Sequence, residues 1–179
     1  MGGLDKGLVT LRNQPLVGHA IDRFAPQVSF LALNVNRSQD AYATFGLPLV
    51  SDEISGFAGP LAGLAAGMQY FEQHCGADTT DWVATIPCDS PFLPLDFVSN
   101  LFATATAQRR PIAVARTPSG AQPVFALYQI AVLNSLQTFL ATGKRKIDVW
   151  TAQHDASHHD FADENAFANI NTMAELLTY

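Results

Sequence analysis

The chain has 179 residues, 48% of them apolar and 15% charged, with a formal net charge of −6 at pH 7. That length holds one α/β domain with a substantial core and is short for two. An acidic chain without a basic face is no general nucleic-acid binder, and no apolar run is long enough to span a bilayer. The two cysteines, Cys75 and Cys88, make neither a metal-type pair nor a disulfide framework, and the N-terminus has no apolar signal region, which together point to the cytoplasm.

The chain opens with Met1-Gly2-Gly3-Leu4-Asp5-Lys6-Gly7. Glycines let a backbone approach an anion closely and lysine supplies a mobile charge, so the stretch suits either a phosphate loop or a frayed terminus. Leu8, Val9 and Leu11 read as a short strand, and Pro15 starts a helix through Leu16, Ala20, Ile21 and Phe24. A buried strand is expected over Val28–Val35, running into Asn34-Val35-Asn36-Arg37. Tyr42 and Phe45 fall on a helix. A short strand then ends at Asp52.

Gly59-Pro60-Leu61-Ala62-Gly63 opens an amphipathic helix with Leu61, Leu64, Ala65, Met68 and Phe71 on its apolar stripe. The run Trp82-Val83-Ala84-Thr85-Ile86 has the composition of a strand buried on both faces, which Pro87 stops because it has no N–H to donate. Asp89 follows at once. In an α/β sheet, ligands bind beyond the carboxyl ends of strands. There a carboxylate suits a divalent cation such as Mg²⁺ or, equally, a turn or helix cap. Asp52 carries the same ambiguity.

A helix from Leu95 to Ala105 places Phe97, Val98, Leu101 and Phe102 inward, and strands at Pro111–Arg116 and Pro123–Tyr128 form a hairpin around Thr117-Pro118-Ser119-Gly120. Ile130–Leu140 is a helix stopped at Gly143. Lys144-Arg145-Lys146 reads as a solvated face or an anion site. His154, His158 and His159 fit no zinc spacing and read as a solvated strand edge or loop. A short terminal helix is capped by Asn171 or Thr172. There is no repeat or linker, so 1–179 is read as a single domain.

Several separated stretches fit one family together: MGGLDKG at 1–7, NVNR at 34–37, GPLAG at 59–63, PCDSP at 87–91, QPVFALY at 122–128, GKRKI at 143–147 and NINT at 169–172. In that order they resemble the molybdenum cofactor guanylyltransferases, of the nucleotidyltransferase superfamily. The resemblance implies a Rossmann-like α/β sandwich, with a mostly parallel sheet, helices on both faces and a small antiparallel piece. It implies transfer of GMP from GTP to molybdopterin, with release of pyrophosphate and use of Mg²⁺.

Carried over by position, Lys6 and Asp89 are the catalytic pair, with Asp89 holding the metal. Gly2, Gly3, Lys6, Asn34, Asp52, Gly59, Pro60, Leu61 and Gly63 lie on the nucleotide side. Lys144, Arg145, Asn169 and Asn171 lie on the pterin side. The resemblance also implies handover partners, namely a molybdenum-insertion protein and molybdoenzyme chaperones, and no nucleic acid or membrane.

Two departures stand out. Family members carry an apolar strand and a glycine-rich turn of the form LAGGxSxRMGG, whereas this chain begins at the final Met-Gly-Gly. The expectation is therefore an N-terminally truncated domain with two open strand edges and weak GTP binding. Gln122 stands where histidine is expected. Other readings of the same residues are a cytidylyltransferase, a sugar-phosphate nucleotidyltransferase, or a non-catalytic pterin-binding remnant.

Overall fold

The computed structural model describes residues 5–52 and 59–168. Gly2, Gly3, Asn169, Asn171 and the expected terminal helix lie outside them.

Where a short strand was expected over Leu8–Leu11, a 3₁₀ turn over Lys6–Leu8 takes its first residue. Then β1 (Thr10–Leu11) pairs antiparallel with β2 (Gln14–Pro15). The intervening Arg12 and Asn13 both have positive φ, 48° and 69°, as a two-residue hairpin turn requires. Helix α1 (Leu16–Phe24) follows with Pro15 at its N-cap.

Of the strand expected over Val28–Val35, only β3 (Leu33–Asn34) is regular. After α2 (Gln39–Ala43), β3 pairs in parallel with β4 (Leu49–Val50), matching Leu33 with Leu49 and Asn34 with Val50. The rest of that apolar run finds no ladder among the described residues, and apolar composition alone cannot make a strand.

Helix α3 (Pro60–Cys75) ends at Gly76, whose φ of +68° favours glycine. Beyond it lie β5 (Trp82–Thr85), α4 (Phe97–Gln108), β6 (Ile112–Thr117) and β7 (Gly120–Gln129). The remaining elements are α5 (Leu133–Ala141), α6 (Ile147–Ala152) and β8 (Ser157–Asp160). The larger sheet has the order β5-β7-β6-β8.

The expected hairpin is present, but its second strand runs through the middle of this sheet, antiparallel to both β5 and β6; only β6–β8 is parallel within it. Antiparallel pairing is thus more than a small addition. A register shift after Val114 is where Pro123 is accommodated, since a proline has no N–H for the ladder.

Alternation along β6 and β7 feeds two cores. Ile112, Val114, Ala126 and Tyr128 face α3, α5 and Trp150; Ala113, Ala115, Phe125 and Leu127 face Phe97 and Leu101 of α4 with Phe161 and Phe167. The aromatic group on the second face is dense, with Phe97 centroids 6.3, 6.0 and 6.3 Å from Phe125, Phe161 and Phe167.

Phe102 departs from its expected inward position. It is 46% exposed and lies edge-on to Trp82 at 5.7 Å. The strand β5 is likewise half-buried rather than covered on both faces, because it is the outer strand of its sheet. An apolar cavity of about 670 Å³ lies between it and β3, walled by Val17 and Ile21 of α1 and Leu64 and Phe71 of α3.

The histidines make structural contacts: His159 Nδ1 lies 2.9 Å from Thr104 Oγ1, and His154 Nε2 lies 2.8 Å from Ser135 Oγ with its ring against Trp150. Of these three, His158 is the exposed one. Gln122 closes the β6–β7 turn by donating from Nε2 to Thr117 Oγ1 at 3.1 Å.

Replacing Phe97 with alanine opens a cavity among three other rings and should cost ~3–5 kcal/mol in urea unfolding. Phe102→Ala, at the surface, should cost less than about 1 kcal/mol by the same measurement.

Candidate active site

Two clusters stand at the ends of the strands. The first gathers around Asp89. Pro87 ends the β5 segment, and the carboxyl of Asp89 emerges half-buried two residues later. Burial pushes its pKa above the ordinary carboxylate value, opposed by its own backbone N–H and by the positive charge of Lys6. The fold brings Lys6, 83 positions away in sequence, to the same end of β5, where its neighbour Gly7 stands against Cys88, the residue before Asp89.

Neighbouring Cys88 is half-buried, and its thiol is pushed up to about 11 by desolvation, then by the charges of Asp89 and Asp5. It is an inert space-filler at neutral pH.

The Lys6 turn is anchored by residues that the sequence reading did not single out. Tyr42, 2% exposed, donates its hydroxyl to Asp5 Oδ1 at 2.7 Å. Arg37 Nε approaches Asp5 Oδ2 at 3.6 Å. Its place in NVNR was the only hint.

The second cluster gathers around Asp52. Parallel pairing of β3 with β4 places their carboxyl ends together. Asn34 Nδ2 donates to Asp52 Oδ1 and Asn36 Nδ2 donates to Asp52 Oδ2, each at 2.9 Å; the Asp52 N–H donates to Asn36 Oδ1 at 2.8 Å. Asp52 is thus a braced carboxylate, held on both oxygens by amides. Asn36 lies two residues after Asn34, just beyond β3, and a period of two could have found it.

The amino end of α3 adjoins this cluster. Gly63 has no Cβ, and a Cβ there would overlap Asn34 Oδ1 and lie 2.9 Å from Asn34 Cγ. Gly59, just before the helix, has φ +75° and ψ −175°, a region open to glycine. Gly59 and Pro60 are exposed, whereas the Leu61 side chain is wholly buried in the α3–α5 core. Leu61 can therefore meet a nucleotide only through its backbone.

The cations that the resemblance assigns to the pterin side differ from one another. Lys144 is exposed, but Arg145 Nη1 donates to the Leu140 and Lys144 carbonyls at 2.8 and 2.7 Å, closing the end of α5. The Arg145 backbone oxygen lies 4.0 Å from where a Gly59 Cβ would stand, so this segment borders the glycine loop.

Among the described residues no group of three or more His, Cys, Asp or Glu could cage a metal. The donor set suits a cation held by one carboxylate together with phosphate and water oxygens, the habit of Mg²⁺.

Residues 1–158 match the model of the MobA-like NTP transferase domain. The chain belongs to that family. Curated MobA-like relatives named molybdenum cofactor guanylyltransferase include one from Shewanella loihica, 46% identical over 173 residues, covering 96% of this chain and 85% of its own. Another, from Cupriavidus taiwanensis, is 44% identical over 181 residues, covering 98% and 87%.

Among solved structures, the Archaeoglobus fulgidus molybdopterin-guanine dinucleotide biosynthesis protein A superposes with a TM-score of 0.76 at 18% identity, over 98% of this chain and 89% of that one. A 4-diphosphocytidyl-2C-methyl-D-erythritol synthase superposes with a TM-score of 0.74 at 11% identity, over 98% and 91%. At those identities the superpositions show the shared nucleotidyltransferase fold. Among the described residues of this MobA-like protein no helix is long and apolar enough to cross a membrane.

Two outcomes follow from the geometry. A raised carboxyl pKa in the folded state means that ionised Asp89 costs stability above that pKa, a cost that fades as pH falls through it and is gone below the unfolded value of about 3.9. Asp89→Asn should therefore raise the Tm of the ligand-free protein at pH 8, with the difference closing in acid, as read by calorimetry across pH. Gly63→Ala should push Asn34 off Asp52 and lower kcat/KM for the nucleotide on the order of 10–100-fold with the fold intact by circular dichroism.

Proposed function

We infer that this chain is a molybdenum cofactor guanylyltransferase, which transfers GMP from GTP to molybdopterin and releases pyrophosphate. The observation that carries the reading is the convergence of Lys6 and Asp89 at the end of β5, in a chain that belongs to the MobA-like family. The curated names of its relatives supply the substrates.

In this reaction a terminal phosphate oxygen of molybdopterin bonds to the α-phosphorus of GTP, and the α–β bridging bond breaks. The attacking phosphate is already ionised, so no general base is needed. The difficulty is the negative charge gathering on the departing pyrophosphate. Lys6, on a turn fixed by Asp5, answers that charge.

Asp89 would hold a divalent cation, Mg²⁺ in this reading, which when bound neutralises phosphate charge. Asp52, braced by Asn34 and Asn36, and the exposed Gly59–Pro60 loop form the nucleoside side, where carbonyl and carboxylate acceptors suit the N–H groups of guanine. Lys144 and the glycine-bordering Arg145 segment form the pterin side. Within the same reading the protein works in the cytoplasm, and its product passes to a molybdenum-insertion protein or molybdoenzyme chaperones.

The test is pyrophosphate release with molybdopterin as acceptor, comparing GTP with CTP at equal Mg²⁺. Turnover should require GTP. Lys6→Ala and Asp89→Ala should each lower kcat at least ~100-fold. Preference for CTP, or turnover that survives loss of Asp89, would overturn the assignment.

A further inference from the structure

The Lys6 turn and the segment just after β5 both pack against one side chain of α2, that of Tyr42. Its hydroxyl donates to Asp5 Oδ1 at 2.7 Å. It also occupies the space left by Gly7: a Cβ there would stand 2.5 Å from it and 3.1 Å from the Cβ of Cys88. Tyr42 reaches this point from the core formed with Val17, Leu33 and Val35, against which Cys88 is also packed. The residue preceding Lys6, the residue following it and the residue preceding Asp89 are therefore in register through one side chain.

We propose that Tyr42 is a positioning residue that sets Lys6 against Asp89 for the transfer reaction, through its hydrogen bond to Asp5 and its seat on Gly7. A core role alone would be met by phenylalanine, which has the same ring and volume. The hydroxyl adds nothing to apolar packing, and a buried phenol must be given a partner. Here the partner is the carboxylate next to Lys6, which Arg37 also approaches. Burial and that hydrogen bond raise the phenol's pKa, so it remains a donor throughout the working range. The same turn is closed by the Leu8 N–H on Asp5 O and the Val9 N–H on Lys6 O, both at 3.1 Å. Release of the Asp5 side chain therefore loosens the segment that carries the lysine.

This inference rests on the guanylyl-transfer reading only for its kinetic arm. Tyr42→Phe should lower kcat/KM for GTP at least tenfold while the far-ultraviolet circular dichroism stays that of the parent. Asp5→Ala should match it, and Asp5→Asn, which keeps an acceptor for the hydroxyl, should retain most of the activity. In a Lys6→Ala background, adding Tyr42→Phe should change kcat/KM by less than twofold, because its effect runs through the lysine.

The second arm needs no turnover. By NMR, amide exchange at Leu8 and Val9 should speed up at least tenfold in Tyr42→Phe, with amides of α3 unchanged. Unaltered exchange at those two amides, or full additivity with Lys6→Ala, overturns the proposal. If the parent transfers no GMP at all, the functional reading fails and the exchange result alone decides this one.

Discussion

From Ile112 to Thr117, β6 runs against β7 in a register that sets Ile112 opposite Tyr128 and Val114 opposite Ala126. Because neighbouring residues on a strand face opposite ways, each step along this pair delivers a side chain to a different core. One core takes in α3, α5 and Trp150; the other takes in α4 and the phenylalanine group. The β6–β7 pair is also what β5 and β8 lean on from either side. Asp89 owes its position to that arrangement. The strand before it is held by four paired residues from Trp82 to Thr85, so the carboxylate leaves the sheet from a fixed point.

The two acidic clusters use their carboxylates in opposite ways. Asp52 is held on both oxygens by asparagine amides, which orient it without adding charge. Asp89 is left in a half-buried setting that disfavours its charge, with Lys6 as the nearby cation acting on it. An oriented acceptor suits recognition of a base, whose hydrogen-bonding edge is directional. A poorly solvated carboxylate suits a cation, whose binding replaces the missing solvent. The contrast between the two carboxylates follows from the environment of each group, since the residue type is the same.

Much of this was legible in the sequence. Pro87 after an apolar β-prone run put Asp89 at a strand end, and Pro60 and Gly143 marked where α3 begins and α5 has stopped. The apolar stripe of α3 also read correctly, with Leu61, Leu64, Ala65 and Met68 all buried. What sequence could not show is long-range. Whether Val28–Val35 becomes a strand depends on a neighbouring ladder, and only Leu33 and Asn34 find one. Phe102 looked like core because the helical period allows it, yet it covers Trp82 at the surface. The bracing of Lys6 by Tyr42 spans 37 residues between Asp5 and Tyr42, and no local pattern encodes such a pair. Leu61 was placed among the nucleotide contacts by its motif, and burial directs its side chain elsewhere.

The two outer strands of the larger sheet differ in how they meet a second sheet. Along β8, His158 and Asp160 are exposed, and Arg116 grips Asp160 through Nε–Oδ1 at 2.5 Å and Nη2–Oδ2 at 2.8 Å. A charged, bidentate clasp on an edge deters another strand from adding to it. On the β5 side no such guard exists among the described residues. Phe102 and Trp82 lie there, and Phe30, 61% exposed, borders the same apolar cavity. One flank of the sheet thus carries a charged guard, and the opposite flank carries exposed aromatic rings. A lysine or glutamate at Phe30 or Phe102 would put a charge on that unguarded flank.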